Sequence, residues 1–180
     1  MLKKTNVLKK KRKRGGCQLL VIRKATLKDL SGITSIYNEA ILNTVATFDI
    51  KPKTPLEMKK WFKSHGLKNP LLVAKIDNKI VGWAALSKWS DRCAYSDTAE
   101  ISLYVKEEYQ RKGIGKQLMK TILEEGKKSG LHTVIARITE GNEVSINLHK
   151  SFGFSYIGVM KECGLKFGKR LDVHLMQKIL

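Results

Sequence analysis

The sequence predicts a single mixed α/β domain, with a mostly antiparallel sheet flanked by helices. Three observations carry this. Apolar residues switch between a period of two and one of about 3.6 along the chain, giving the order β-α-α-β-β-β-α-β-α-β-β. Leu71 to Ile76 and Lys79 to Leu86 are separated by Asp77-Asn78 alone, a spacing that fits a tight antiparallel hairpin. A β-type run, Thr98 to Val105, then feeds a strongly amphipathic helical stretch through a loop bearing two glycines. With 180 residues and 42% hydrophobic content, the chain has apolar surface for one substantial core and little for a second.

The domain is expected over 18–180, with residues 1–17 standing apart as a solvated, disordered basic tail. Lys3, Lys4, Lys9, Lys10, Lys11, Arg12, Lys13 and Arg14 hold eight of the positive charges behind a net +19, leaving +11 on the rest. The tail has no aromatic interleaving, so nucleic-acid contact is the lesser reading. The remaining +11 suits an anionic small molecule without identifying one. No apolar run reaches the roughly 18 residues of a membrane span, and no signal-peptide core follows the basic start, so a cytoplasmic protein without membrane contact is expected. Cys17, Cys93 and Cys163 are odd in number and unmatched to histidines at ligand spacing, so neither a disulfide framework nor a metal site is expected.

Each element has its own signal. Gln18 to Arg23 is apolar and β-branched, a first strand. Thr26 opens a helix with Asp29 three residues on, close to a capping box, and Leu30, Ile33, Ile36, Tyr37, Ala40 and Ile41 form its buried face. Asn43 to Lys53 has no period, yet carries Val45, Phe48 and Ile50; these either tuck into the core or line a substrate pocket. Thr54-Pro55-Leu56-Glu57 starts a short helix running to about Ser64, with a Thr cap, Pro at the first position and Glu placed to close the box. The hairpin follows, its turn residues tolerant of positive φ. Trp89 to Asp97 is irregular. Beyond the glycine loop, Ile114, Leu118, Met119, Ile122 and Leu123 mark a helix face that Gly130 ends. His132 to Ile138 reads as a strand, Asn142 to Phe152 as a short helix, and Phe154 to Met160 and Leu171 to Ile179 as two strands across a Gly164 to Lys169 connection.

The loop Tyr109-Gln110-Arg111-Lys112-Gly113-Ile114-Gly115-Lys116 carries the first functional signal. Glycines at a strand-to-helix turn let backbone approach a ligand, and the first amides of a helix lack internal partners and bind anions. A Walker loop would need Gly at Gln110 and Ser or Thr at Gln117, and a dinucleotide fingerprint would need Gly at Leu118, so both are excluded. On the preceding strand Ile101, Leu103 and Val105 share one face, with Glu100, Ser102 and Tyr104 on the other. A carboxylate in so apolar a strand beside a ligand loop is a candidate proton acceptor; the alternative is an edge-strand carboxylate paired with a surface Lys.

Gln-x-x-Gly-x-Gly before a helix resembles the pyrophosphate loop of the GCN5-related N-acetyltransferases. Ala99-Glu100-Ile101-Ser102-Leu103-Tyr104-Val105, Ser145-Ile146-Asn147-Leu148-His149-Lys150 and Lys166-Phe167-Gly168-Lys169 resemble the phosphinothricin and methionine-sulfone acetyltransferases within it. The resemblance runs from Leu20 to Gln177 and implies the fold of that superfamily, with acetyl-CoA as co-substrate and the α-amine of a small amino acid or analogue as acceptor. It implies that Leu103, Tyr104 and Val105 meet the pantetheine and thioester, that Arg111, Lys112, Gly113, Ile114, Gly115 and Lys116 hold the pyrophosphate, and that Asn142, with Ser145 and Asn147 as weaker candidates, bonds to the pantetheine arm. Asn142 reads equally as a helix N-cap.

By the same resemblance Glu100 is the general base, directly or through a water, and His149 stands where many relatives place a tyrosine acid. A core histidine is the competing reading for His149. Arg92 matches an arginine that can clamp a carboxylate, Phe48 a pocket aromatic, and Tyr95 is a further candidate. His65, His132 and His174 have no functional signal. Arg170 and His174 depart from the relatives, which often carry Trp and an apolar residue there, near strands that shape the acceptor site. Relatives are often homodimers. Protein N-termini or lysines are the alternative acceptors, and a non-catalytic CoA- or polyanion-binding protein is the reading from another class.

Overall fold

The computed structural model describes residues 19–180; the basic tail and Cys17 lie outside the described residues. Seven strands, β1 (Val21–Lys24), β2 (Leu71–Ile76), β3 (Lys79–Lys88), β4 (Thr98–Val105), β5 (Thr133–Thr139), β6 (Ser155–Lys166) and β7 (Lys169–Ile179), form one sheet in the order β1-β2-β3-β4-β5-β7-β6. Every pairing is antiparallel except that of β4 with β5, so the mixed, mostly antiparallel sheet read from the sequence is borne out. Among the described residues four helices accompany it: α1 (Leu30–Asn43), α2 (Pro55–Lys63), α3 (Ile114–Lys128) and α4 (Glu143–Ser151).

Local chemistry sets the helix starts. Asp29 is buried and accepts from the Thr26 backbone N–H at 2.8 Å, closing the predicted box, while Arg23 forks onto it at 2.7 and 2.8 Å. That guanidinium, more than the Thr26 bonds, holds the Asp29 carboxyl at a pKa of about 2. A 3₁₀ turn over Leu27–Asp29 precedes α1. At α2 the Glu57 amide donates to Thr54 Oγ1 and Glu57 Oε2 accepts from the Thr54 amide at 2.8 Å. Asp77 and Asn78 turn the β2–β3 hairpin with φ of 45° and 67°.

Both sheet faces are covered. Leu118, Met119 and Ile122 of α3 share a core with Leu72, Ala84, Leu86, Ala99 and Ile101. Ile33 and Ile36 of α1 and Met58 of α2 share another with Val73, Trp83 and Ala85. Each of the larger apolar side chains contributes on the order of 1.5–3 kcal/mol by leaving water. This sandwich fixes β4 in the middle of the sheet, where its two faces meet different environments.

One expectation is corrected and two alternatives left open by the sequence are narrowed. Most of the Gly164 to Lys169 connection is strand: β6 runs to Lys166 and only Phe167 and Gly168 turn, with φ of 50° and 74°. A bulge between Met160 and Gly164, with Glu162 at φ 48°, interrupts the alternation that would have revealed the strand. Ile50 does not tuck inward; it is 65% exposed. Glu100 lies on an interior strand, not an edge, and its partner is an arginine rather than a surface Lys. No helix among the described residues is long and apolar enough to cross a membrane.

Candidate active site

Strand β4 passes Val105 and leads through a 3₁₀ turn, Glu107–Tyr109, into the glycine loop. Arg111 at φ 58° and Gly113 at φ 80° reverse the chain so that α3 starts at Ile114. Gly113 caps α3 with no side-chain bond, and the Gln117 amide is the first to reach back, to the Gly113 carbonyl at 3.1 Å. The amides before it are therefore available to an anion. Gln110 Nε2 donates to the Val105 carbonyl at 3.1 Å and ties the loop to the strand end. Lys112 Nζ donates to the Glu108 carbonyl and lies over the Tyr109 ring. Arg111 and Lys116 are exposed, with no side-chain bond among those of the described residues.

From this loop a cleft runs between β4 and β5. The two strands pair in parallel only from Thr98 to Glu100 and from Thr133 to Ile135. Beyond that, β4 continues on β3 as far as Val105 and β5 continues on β7 as far as Thr139. Leu103, Tyr104 and Val105 thus present one backbone edge that no strand occupies, a row of groups ready for an extended, amide-bearing ligand. Asn142 stands just past β5. Its Oδ1 accepts from the Ser145 amide at 3.2 Å, so it is the α4 cap, while its Nδ2 has no partner among the described residues. The cap and ligand readings are compatible. The Ser145 hydroxyl lies 3.4 Å from His149 Nδ1, and Asn147 is exposed on α4.

At the far end of the cleft, Glu100 is gripped. Arg137 on β5 donates from Nε to Oε1 at 2.6 Å and from Nη2 to Oε2 at 2.7 Å. The Glu100 side chain is 22% exposed, and each oxygen keeps a lone-pair direction that Arg137 does not use. The sequence marked Glu100 as a candidate proton acceptor in a largely apolar strand, with pairing to a surface Lys as the alternative; the pairing present is with Arg137. The sequence reading missed Arg137; its place on the Thr133, Ile135, Arg137 face follows from strand alternation, but its pairing with Glu100 depends on a parallel register that no local pattern records.

The irregular stretch between α1 and α2 closes over the same sheet face. Tyr37 on α1 donates to Asp49 Oδ2 at 2.6 Å, Lys53 reaches Asp49 Oδ1 at 2.9 Å, and Tyr104 on β4 donates to the Ala46 carbonyl at 3.2 Å. Buried Lys166, from the end of β6, donates to the Thr47 carbonyl at 2.6 Å. The Phe48 ring lies so close above Gly164 that an added Cβ would overlap it. A cavity of about 260 Å³ remains between this loop, α2 and the sheet, with Tyr37, Asp49, Trp61, Trp83 and Ser102 in its wall. Desolvation pushes the Tyr37 hydroxyl well above the usual phenol range, with the bond to Asp49 adding to it, so Tyr37 stays a donor.

His149 is 5% exposed, with its Nδ1 2.8 Å from the Ser145 carbonyl and Phe154 edge-on at 4.8 Å. A carbonyl accepts only, so the proton sits on Nδ1 and Nε2 is left as a buried acceptor without a partner among the described residues. Burial lowers its pKa, keeping the ring neutral. Such a ring has no Nε2 proton to give. Arg92 and Tyr95 flank or lie in a short 3₁₀ turn, Cys93–Tyr95, and both are exposed. Cys93 and Cys163 are exposed free thiols, and no cluster of metal-ligating side chains occurs among the described residues.

Residues 22–175 match the family model described as an acetyltransferase (GNAT) domain. The chain is 37% identical over 158 residues to an L-methionine sulfoximine/L-methionine sulfone acetyltransferase of Pseudomonas aeruginosa, covering 87% of this chain and 92% of the relative. It is 35% identical to a phosphinothricin N-acetyltransferase of Streptomyces coelicolor, over 84% of this chain and 91% of that one. The crystal structure of a GNAT superfamily phosphinothricin acetyltransferase from Sinorhizobium meliloti in complex with AcCoA superposes with a TM-score of 0.86 at 36% identity, covering 89% of this chain and 88% of that one.

Proposed function

The chain belongs to the GNAT family of acetyltransferases, and from that premise we propose that it transfers the acetyl group of acetyl-CoA to the α-amine of a small amino acid or analogue, of the methionine sulfone, methionine sulfoximine or phosphinothricin type. The observation that carries this reading is the cleft between β4 and β5, open from the anion-ready start of α3 at one end to Glu100 at the other. A diphosphate on the amides of Gly113 to Lys116, helped by Arg111, would leave the pantetheine arm along Leu103, Tyr104 and Val105, with Asn142 Nδ2 as a donor on the opposite wall. The names of the relatives above support the acceptor class.

Glu100 is the base in this reading. An α-ammonium has no lone pair, so it first loses a proton to a free lone-pair direction of Glu100, directly or through a water. The amine then adds to the thioester carbonyl, whose oxygen gains charge near the Val105 backbone. As the C–S bond breaks, the adduct nitrogen gives its second proton to solvent, CoA leaves as a thiolate that takes up a proton from solvent, Glu100 returns the first proton to water, and the new amide departs. His149, with its proton committed to Ser145, orders α4 rather than serving as the acid. Phe48, held over Gly164, is the aromatic wall of the acceptor site.

A thiol-release assay over methionine sulfone, methionine sulfoximine, phosphinothricin, common amino acids and a short peptide tests the reading. Release is expected with one or more of the free amino acids and not with the peptide; preference for the peptide moves the acceptor to protein N-termini or lysines. Glu100→Gln is expected to lower turnover at neutral pH by about 10²-fold or more while leaving acetyl-CoA binding nearly intact. Unchanged turnover would remove Glu100 from the proton step.

A further inference from the structure

Arg137 lies two residues beyond the last β5 residue that pairs with β4, on the sheet face that Glu100 shares. Its Nε and Nη2 serve Glu100. A guanidinium has a second edge, formed by Nη1 and the outer hydrogen of Nη2, that can take another carboxylate bidentately. In this structure that edge meets no acceptor among the described residues, and the side chain is 51% exposed. The Trp89 ring, 5.8 Å from the guanidinium carbon, and the Glu100 fork together fix its direction. A rigid, solvent-reached, half-satisfied guanidinium therefore stands at the acceptor end of the cleft.

We infer that the free edge of Arg137 receives the α-carboxylate of the acceptor, so that one guanidinium bridges the base and the substrate. This rests on Glu100 marking the acceptor end. An α-amine is attached one carbon from its carboxylate, and a carboxylate docked beside Glu100 on a shared cation sets that amine within hydrogen-bond reach of the Glu100 oxygens. Charge is balanced, since the arriving ammonium and the guanidinium face two carboxylates. The inference shifts the carboxylate contact from Arg92, which is exposed on a loop with no partner among the described residues to hold its side chain. Arg137 is already immobilised and loses less freedom on binding.

The test compares kcat/KM for methionine sulfone and for its carboxamide, in the intact chain and in Arg137→Lys and Arg137→Ala. The unaltered enzyme should prefer the acid by about 10- to 100-fold, the range of a charge-assisted pair. Both variants also loosen Glu100 and so slow both acceptors; the readout is the preference, which should fall to near unity. Lys keeps the charge but not the fork and serves if the Ala variant does not fold, with acetyl-CoA binding as the check on folding. An enzyme without acid preference, or Arg137 variants that retain it, overturns the inference; loss of preference in Arg92→Ala with retention in Arg137→Lys assigns the carboxylate to Arg92. If Glu100→Gln keeps full turnover while Arg137→Lys loses the preference, the base reading fails and the carboxylate site stands.

Discussion

At the scale of single residues, burial without a counter-charge has a measurable consequence at two histidines. His149 and His65 both have pKa values lowered by desolvation, against a hydrogen bond from each ring to a backbone carbonyl that favours the charged form. In the unfolded chain each returns to about 6.5. Above that value neither state is protonated and nothing changes. Below it the unfolded state takes up protons that the native state refuses, so stability falls as pH falls, by up to about 1.4 kcal/mol per unit for each ring. Thermal melting from pH 8 to pH 5 should therefore show a loss that begins near 6.5. His149→Asn, which keeps a donor for the Ser145 carbonyl, should flatten part of that slope. Its turnover should stay within about tenfold; a general acid would be worth about 10²-fold or more, and a loss of that size would restore His149 to the mechanism. The sequence showed His149 at a plausible position, but only the distance to Ser145 says which nitrogen holds the proton. Glu100 is the same lesson reversed: its face was legible from alternation, its arginine was not.

Among the elements, the loop between α1 and α2 is held by contacts from far along the chain. The β6–β7 hairpin brings Gly164 under Phe48 and Lys166 to the Thr47 carbonyl, 119 residues away in sequence. Gly164 does not have a left-handed φ; it is required because a Cβ would overlap the ring. Gly164→Ala is thus expected to push Phe48 off the sheet, raising KM for the amino-acid acceptor by roughly 10-fold or more while acetyl-CoA binding changes little. Equal losses for both substrates would mean that Phe48 supports the whole fold rather than the acceptor side. Lys166→Met removes the donor from a part-buried carbonyl and should cost about 1–3 kcal/mol in urea unfolding with the same split between substrates. Why Phe48 stands in the aperiodic stretch Asn43 to Lys53 was unreadable locally for this reason: its partner lies in a hairpin whose length a bulge conceals.

For the whole molecule, the element order and the register-setting hairpin turn were legible, because amphipathic periods and caps are local. What was not legible is where β4 and β5 part, since that follows from how two covered faces and seven twisted strands accommodate one another. The same scale governs charge. Of the net +19, the first fourteen residues hold eight and leave +11 on the rest. Arg111, Lys112 and Lys116 gather at the start of α3, where the helix dipole adds to their field. An anionic co-substrate approaching this end is attracted over about one Debye length, about 10 Å at 0.1 M salt. Raising salt from 0.05 to 0.5 M should then raise KM for acetyl-CoA by roughly 3- to 10-fold and leave turnover at saturation nearly constant. Arg111→Ala with Lys116→Ala should flatten that dependence, because exposed charges act mainly within a screening length, and a chain shortened by residues 1–17 serves as the comparison. If the shortened chain loses its salt dependence, the tail rather than the α3 start guides the co-substrate. If neither change alters it, the +11 of the remaining chain acts diffusely, and the loop binds through its amides alone.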